Sequence, residues 1–143
     1  MVLPPLSEPA IGSINYQRRL LRILVCGDRN WTDWEPIRRF IAGLPKDTVI
    51  IEGEARGVDS IARLVAGEYS LEVEGYPANW ELHGKAAGPI RNKRMLDEGK
   101  PNKVVFFHSD LAKSKGTKNM VEQARKAGIP VEDATPSYMK GGE

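Results

Sequence analysis

Five short strand-like runs, separated by segments of helical periodicity, constrain this chain more than any other feature. Ile23 to Cys26, Thr48 to Ile51 and Val104 to Phe107 are short runs rich in β-branched or aromatic residues, which reads as buried strands. Leu71 to Tyr76 alternates apolar and acidic residues, as a strand at a sheet edge with one wet face would. Ile129 to Val131 is a short fifth strand. Between them, Ile37, Phe40, Ile41 and Leu44 recur at helical spacing, and so do Val58, Ile61, Ala62 and Val65. Pro89 suits the first turn of a further helix that runs through Met95 to about Glu98, and Met120, Val121 and Ala124 mark the last one. Strand and helix alternate throughout, which predicts an α/β fold: a Rossmann-like open parallel sheet of about five strands with helices on both faces. Ligands of such sheets sit beyond the carboxyl ends of the strands, near the point where strand order reverses. The loops after each strand are therefore the places to look for chemistry.

Bulk properties narrow the options. A chain of 143 residues suits one hydrophobic core. We expect a flexible arm over 1–21, the Rossmann-like domain over 22–134 and a flexible tail over 135–143. A helical turn is predicted within the arm, at Asn15 to Arg22. The formal net charge of +2 is too small for a dedicated binder of nucleic-acid backbone, yet it leaves room for a small anion held by a few placed groups. The single cysteine, Cys26, excludes an intramolecular disulfide and a Cys-rich zinc site, and it reads as packing at a strand end. His83 and His108 lack metal-type spacing, so no metal centre is expected. No apolar run reaches the length of a membrane span, and Met1 to Ile14 holds three prolines and no basic segment, unlike a signal peptide. The expected location is the cytoplasm, with no membrane partner.

Four loops carry polar residues in suggestive company. The first, Gly27-Asp28-Arg29-Asn30-Trp31, offers a glycine turn, an arginine fork for phosphate or carboxylate, and an indole that could stack on a base. The second, Glu52-Gly53-Glu54-Ala55-Arg56-Gly57-Val58-Asp59, exposes backbone N–H groups at a helix start, where anions are favoured, while Asp59 could equally serve the helix dipole. Glu52 and Glu54 would repel a phosphate unless they hold a ribose hydroxyl or a metal. The third runs from Pro77 to Asn92, a long connection containing Trp80, Gly88, Pro89, Arg91 and Asn92. Arg91 falls in the first turn of its predicted helix, against the dipole, which hints at an anion beside it. The fourth, Ser114-Lys115-Gly116-Thr117, could cradle phosphate or simply cap the last helix. None is a G-x-G-x-x-G fingerprint or a P-loop.

In combination these loops resemble the YspA (cpYpsA-related) family of the SLOG superfamily. The resemblance rests on Gly-x-Arg after the first strand, Gly-x-Ala-x-Gly-x-Asp after the second, Pro-Ala-x-Trp with Ala-Gly-Pro-x-Arg-Asn after the third, and Ser-x-Gly-Thr after the fourth. It implies a Rossmann-like fold and a pocket for nucleotide-derived ligands, lined here by Gly27, Asp28, Arg29, Gly53, Ala55, Gly57, Asp59, Trp80, Gly88, Pro89, Arg91, Asn92, Ser114, Gly116 and Thr117. The superfamily also contains the "lonely guy" phosphoribohydrolases, whose Arg-Lys-x-x-Met is similar to Arg91-Asn92-Lys93-Arg94-Met95. Their Gly-Thr-x-x-Glu places a glutamate where this chain has Met120. A methionine cannot move a proton, so turnover would have to draw on Arg91 with Glu54, Asp59 or Glu122.

Three functions follow, in order. The first is binding of a nucleotide or nucleotide-derived phosphorylated ligand, as a sensor or sequestering protein. The second is N-glycosidic hydrolysis of a nucleoside 5′-phosphate or ADP-ribose-like compound. The third is single-stranded DNA binding in the manner of DprA, with Trp31, Trp34 and Trp80 stacking bases. A homodimer or higher homo-oligomer is expected. No cofactor is required, and Mg2+ is compatible with the acidic residues without being specified by their spacing.

Overall fold

The structure is a computed structural model, and it describes residues 20–140. Its strands are β1 (Arg22–Gly27), β2 (Val49–Glu52), β3 (Glu72–Gly75), β4 (Lys103–Phe107) and β5 (Val131–Asp133). They form one sheet in the order β3-β2-β1-β4-β5, with every pairing parallel. The inner strands β1, β2 and β4 are apolar on both faces because both are covered. Their residues divide between two cores by alternation. Ile23, Val25, Ile50, Val105 and Phe107 meet helices α1 (Trp34–Ala42) and α2 (Val58–Glu68) on one face. Leu24, Cys26, Val49, Ile51, Val104 and Phe106 meet α4 (Ala87–Gly99) and α5 (Gly116–Lys126) on the other. The expected Rossmann-like arrangement is thus present, and β3, with its Glu-Val-Glu-Gly sequence, does lie at an edge.

The chain winds leftward from β1 to β3, then crosses to β4 on the far side of β1. The strand order therefore reverses between β1 and β4, beyond Gly27 and Phe107, the position at which open parallel sheets generally take their ligands. Two expectations need adjustment. The fifth strand begins at Val131, because the Ile129 N–H donates to Ala124 O (2.9 Å) and Gly128 sits at φ 76, so residues 128–130 belong to the turn leaving α5. The connection from Pro77 to Asn92 is not an open loop. Asn79 Oδ1 accepts from the Leu82 N–H (3.0 Å) and caps a short helix, α3 (Trp80–His83), which a 3-10 turn at Gly84–Ala86 links to α4.

The arm falls almost wholly outside the described residues, and so does most of the helical turn predicted for Asn15 to Arg22; its described end is not helical, because Arg22 already pairs in the sheet as the first residue of β1. Of its last residues, Leu20 packs against one core and Leu21 against the other. At the start of the segment read as a tail, Thr135 is buried, accepts from the His108 N–H (2.9 Å), and is followed by a 3-10 turn whose Met139 packs on the α1–α2 core. Residues 141–143 are outside the described range. No described helix is long and apolar enough to cross a membrane.

Candidate functional site

The loop after β1 is locked by close backbone approach. A Cβ on Gly27 would collide with the Phe107 carbonyl and Val58, so only glycine lets β1 end between β4 and α2. The Asp28 N–H donates to Phe107 O (3.0 Å), and Asp28 O accepts from Trp31 N (3.1 Å) and Val58 N (3.2 Å). Arg56 reaches across to donate to Arg29 O (3.2 Å) and Asn30 Oδ1 (3.1 Å). Gly57, at φ 75, passes so near the Asp28 and Arg29 backbone that a side chain has no room. Two strand-end loops are thereby clamped together, and the Arg29 side chain is left exposed.

Asp59 organises the second loop. It is buried, and its Oδ2 accepts from the Gly53 N–H (3.0 Å) and the Ala55 N–H (3.3 Å). Burial pushes its carboxyl up from an ordinary 3.8 to about 6, against the opposing pull of those amides and of Arg91. The sequence left open whether Asp59 served the helix dipole; its carboxylate instead fixes the turn that leaves β2. Glu52, at the end of β2, is fully buried, and its Oε1 accepts from the Glu54 N–H (2.6 Å). Burial drives Glu52 from 4.5 up to about 7. Its Oε2 has no hydrogen-bond partner among the described residues, and the nearest cation, Arg63 Nη1, stands 3.8 Å away.

Arg91 joins the second loop to the third. Nη1 donates to Gly53 O at 2.5 Å, and Nε donates to Asn92 Oδ1 at 3.0 Å. Burial works against its charge, and Asp59 supports it. Because α4 starts at Ala87, Pro89 does fall in its first turn, but Arg91 stands a turn inside the helix, so its conflict with the dipole is smaller than the sequence implied. Asn92 is buried and fully used by the protein: it accepts from Arg91 and donates through Nδ2 to Gly116 O (3.3 Å) and Asn119 Oδ1 (3.0 Å). It ties the start of α4 to the start of α5. Ser114 acts as the capping residue, its Oγ accepting from the Thr117 N–H (2.9 Å) and the Lys118 N–H (3.3 Å). Those amides are already satisfied by the chain itself.

The fold therefore gathers Gly27 to Arg29, Gly53 to Asp59, Arg91 with Asn92, and Ser114 to Thr117 at the carboxyl ends of the strands. Trp80 is 55% exposed beside Gly88. Trp31 is different: it is 7% exposed, packs edge-on against Phe107 (5.9 Å between centroids) and donates through Nε1 to Asp33 O. It is core and cannot stack on a base. Met120 lies in the α4–α5 core with Cys26, whose thiol burial pushes up. Sequence reasoning missed the buried state of Glu52, since a glutamate ending an apolar run usually reads as the first wet residue. It also missed an open cavity of about 520 Å3 beyond β4 and β5, lined by His108, Asp110, Arg125, Asp133 and Lys140 among others. No group of three or more His, Cys, Asp or Glu among the described residues is placed to hold a metal ion.

Comparison with known proteins bears on the family and the fold. Residues 21–83 match the sequence model of the YspA, cpYpsA-related SLOG family, a stretch that includes the first two loops and Trp80. The chain is 36% identical over 121 residues to the Gene 61 protein of Mycobacterium phage D29, covering 77% of this chain and 93% of that protein. Among solved structures it is similar to DNA processing protein A (DprA) from Streptococcus pneumoniae, with a TM-score of 0.66 and 18% identity. That likeness covers 80% of this chain and 50% of DprA, so the chain spans about half of that protein, and what they share is the fold. With glycine-pinned loops at the strand reversal, a family model matched over residues 21–83 and a relative matched over nearly its whole length, the chain belongs to the YspA, cpYpsA-related SLOG family.

Proposed function

We propose that the protein binds a nucleotide-derived, phosphorylated ligand over the carboxyl ends of β1, β2 and β4, as a sensor or sequestering protein. The observation that carries this reading is the state of Arg91. Two of its nitrogens are pinned by Gly53 O and Asn92 Oδ1, while Nη2 engages no acceptor among the described residues. A guanidinium fixed in this way loses little freedom when an anion arrives, which favours phosphate binding. Arg29 is exposed nearby on the clamped loop, and Trp80 offers an exposed ring at the edge of the same region. Titration calorimetry with nucleoside 5′-monophosphates, ADP-ribose and cyclic nucleotides tests this. Arg91→Ala should abolish binding while the circular dichroism spectrum stays that of the parent. Silence of the folded parent protein toward the whole panel at millimolar concentration refutes the reading.

A second reading, N-glycosidic hydrolysis, is favoured by one observation: Glu52 and Asp59 have carboxyls raised to about 7 and about 6, the range suited to proton transfer. Asp59 is committed to two amides, however, and Met120 is packed away in the core. Release of free base from a bound nucleoside 5′-phosphate, lost in Arg91→Ala, is the result it requires. DNA binding rests on fold likeness alone, and the burial of Trp31 removes one of its three expected stacking rings.

A further inference from the structure

We propose that the open cavity beyond β4 and β5 is a second binding site, separate from the nucleotide region, and that it takes a small zwitterion: a free α-amino acid with an apolar side chain.

The cavity lies on the outer side of β4, toward the edge strand β5 and away from the reversal between β1 and β4. Its volume of about 520 Å3 falls within the range of about 300–1,000 Å3 usual for small-molecule sites. The fold fixes its walls. Phe106 and Val131 come from neighbouring parallel strands and Leu111 from the 3-10 turn Leu111–Lys113, and all three border the α4–α5 core. Leu111 and Val131 are only half-buried, so each leaves apolar surface to the cavity. The end of β4 is fastened to the chain after β5. The His108 N–H donates to Thr135 Oγ1 (2.9 Å), and Thr135 Oγ1 donates in turn to His108 O (3.3 Å). Walls held in this way need little ordering when a ligand enters.

The polar groups of the lining divide into those the protein satisfies and those it leaves over. Asp133 accepts from the Thr135 N–H (2.9 Å) and pairs with Lys140 at 3.1 Å, so that carboxylate and that ammonium neutralise one another. Arg125, in the last turn of α5, makes no hydrogen bond or ion pair among the described residues, although it lines the same cavity as Asp110 and Asp133. Asp110 has Lys113 at 3.7 Å, too far for a hydrogen bond, and that lysine side chain is 85% exposed. The Asp110 N–H donates to His108 Nδ1 (3.0 Å). Because Nδ1 accepts, the ring proton sits on Nε2, and this N–H has no acceptor among the described residues. The Ser109 hydroxyl is likewise unpartnered among them.

That remainder selects the ligand. An anion alone would face the Asp110 carboxylate, and a cation alone would face the Arg125 guanidinium. The two side chains form no ion pair with each other, so a molecule bearing both charges can link them. Its carboxylate takes the planar fork of Arg125, with the Ser109 hydroxyl and the His108 Nε2–H as further donors. Its ammonium donates to Asp110. Leu111 and Val131 then receive an apolar side chain, which gains by leaving water.

The test is titration calorimetry of the full chain with L-leucine, L-methionine and L-phenylalanine at millimolar concentration. At least one should bind. The deamino acid and the decarboxylated amine of that amino acid should each bind about tenfold more weakly or worse, since each lacks one charge-assisted contact. Arg125→Gln and Asp110→Asn should weaken the amino acid by a similar factor while keeping the parent's circular dichroism. Silence of the folded parent toward all three amino acids overturns the inference. Equal binding of the deamino acid also overturns it, because the site would then be one for anions. So does binding unchanged in Arg125→Gln, which would place the amino acid elsewhere on the protein. None of these results bears on the nucleotide reading, because Arg91 and the loops around it line no part of this cavity.

Discussion

Replacing Glu52 by glutamine should make the protein more stable at alkaline pH and leave it unchanged in acid. In the folded protein burial raises the Glu52 carboxyl from 4.5 to about 7. Between those values the native state holds a proton that the unfolded chain has released, so stability falls as pH rises through that window. At ~1.36 kcal/mol per pH unit the whole shift corresponds to ~3 kcal/mol. The attraction of Arg63, whose side chain is 43% exposed, already acts within that value and only moderates the effect of burial, so the expected loss stays at ~3 kcal/mol. Glutamine keeps the oxygen that accepts from the Glu54 N–H and carries no charge to desolvate. Urea unfolding of parent and variant at about pH 4 and about pH 8 reads this directly. The two proteins should match within about 0.5 kcal/mol in acid, and the variant should be ahead by about 3 kcal/mol in alkali, roughly 10 °C in melting temperature. The variant should keep a residual decline between 3.8 and about 6, because Asp59 remains and its carboxyl is also raised. A stability difference that stays constant across pH, or a parent that is the more stable at pH ~8, refutes the claim that Glu52 is held against its charge.

Other substitutions probe the remaining features. Trp31→Ala should lower stability by about 3–5 kcal/mol, whereas the exposed Trp80→Ala should change it by less than about 0.5 kcal/mol while weakening ligand binding; chemical unfolding and calorimetry separate the two. Gly57→Ala should cost about 3 kcal/mol or more, since the new Cβ meets the Asp28 and Arg29 backbone in a conformation already at φ 75, and a small shift in melting temperature would contradict the close approach. Asn92→Ala should cost about 2–4 kcal/mol by severing α4 from α5, and it should also weaken phosphate binding by freeing Arg91; Asn92→Asp keeps the acceptor for Arg91 but not the Nδ2 donor, so unfolding and calorimetry should show binding partly restored and the lost stability not. Lys100→Gly should stabilise by about 1 kcal/mol, because Lys100 closes α4 at φ 45, where glycine is free of strain.

The architecture was largely legible in the chain. The apolar runs of β1, β2 and β4 show no polar alternation because both sheet faces are covered, and the Glu-Val-Glu of β3 announces an edge for the opposite reason. Helix faces were legible wherever a repeat spanned two turns, as at Val58 to Val65. The boundary at β5 was not, since Ile129 and Pro130 look strand-like in sequence but complete the turn that closes α5. The helix at Trp80 was hidden within a stretch whose four residues are too few to show a period.

What the sequence determined by itself is the list of loops: glycines, arginines and carboxylates recur after each strand, and a parallel sheet must bring those loops to one end. What tertiary structure decided is the work each residue does there. Arg91 and Gly53 lie far apart in the chain and meet only because α4 returns over the end of β2. Trp31 and Trp80 are the same side chain, yet one is sealed against Phe107 and the other lies open to water. Glu52 carries the same carboxyl as any surface glutamate, and only the packing of β2 between its neighbours removes the water that would hold its proton affinity at the ordinary value.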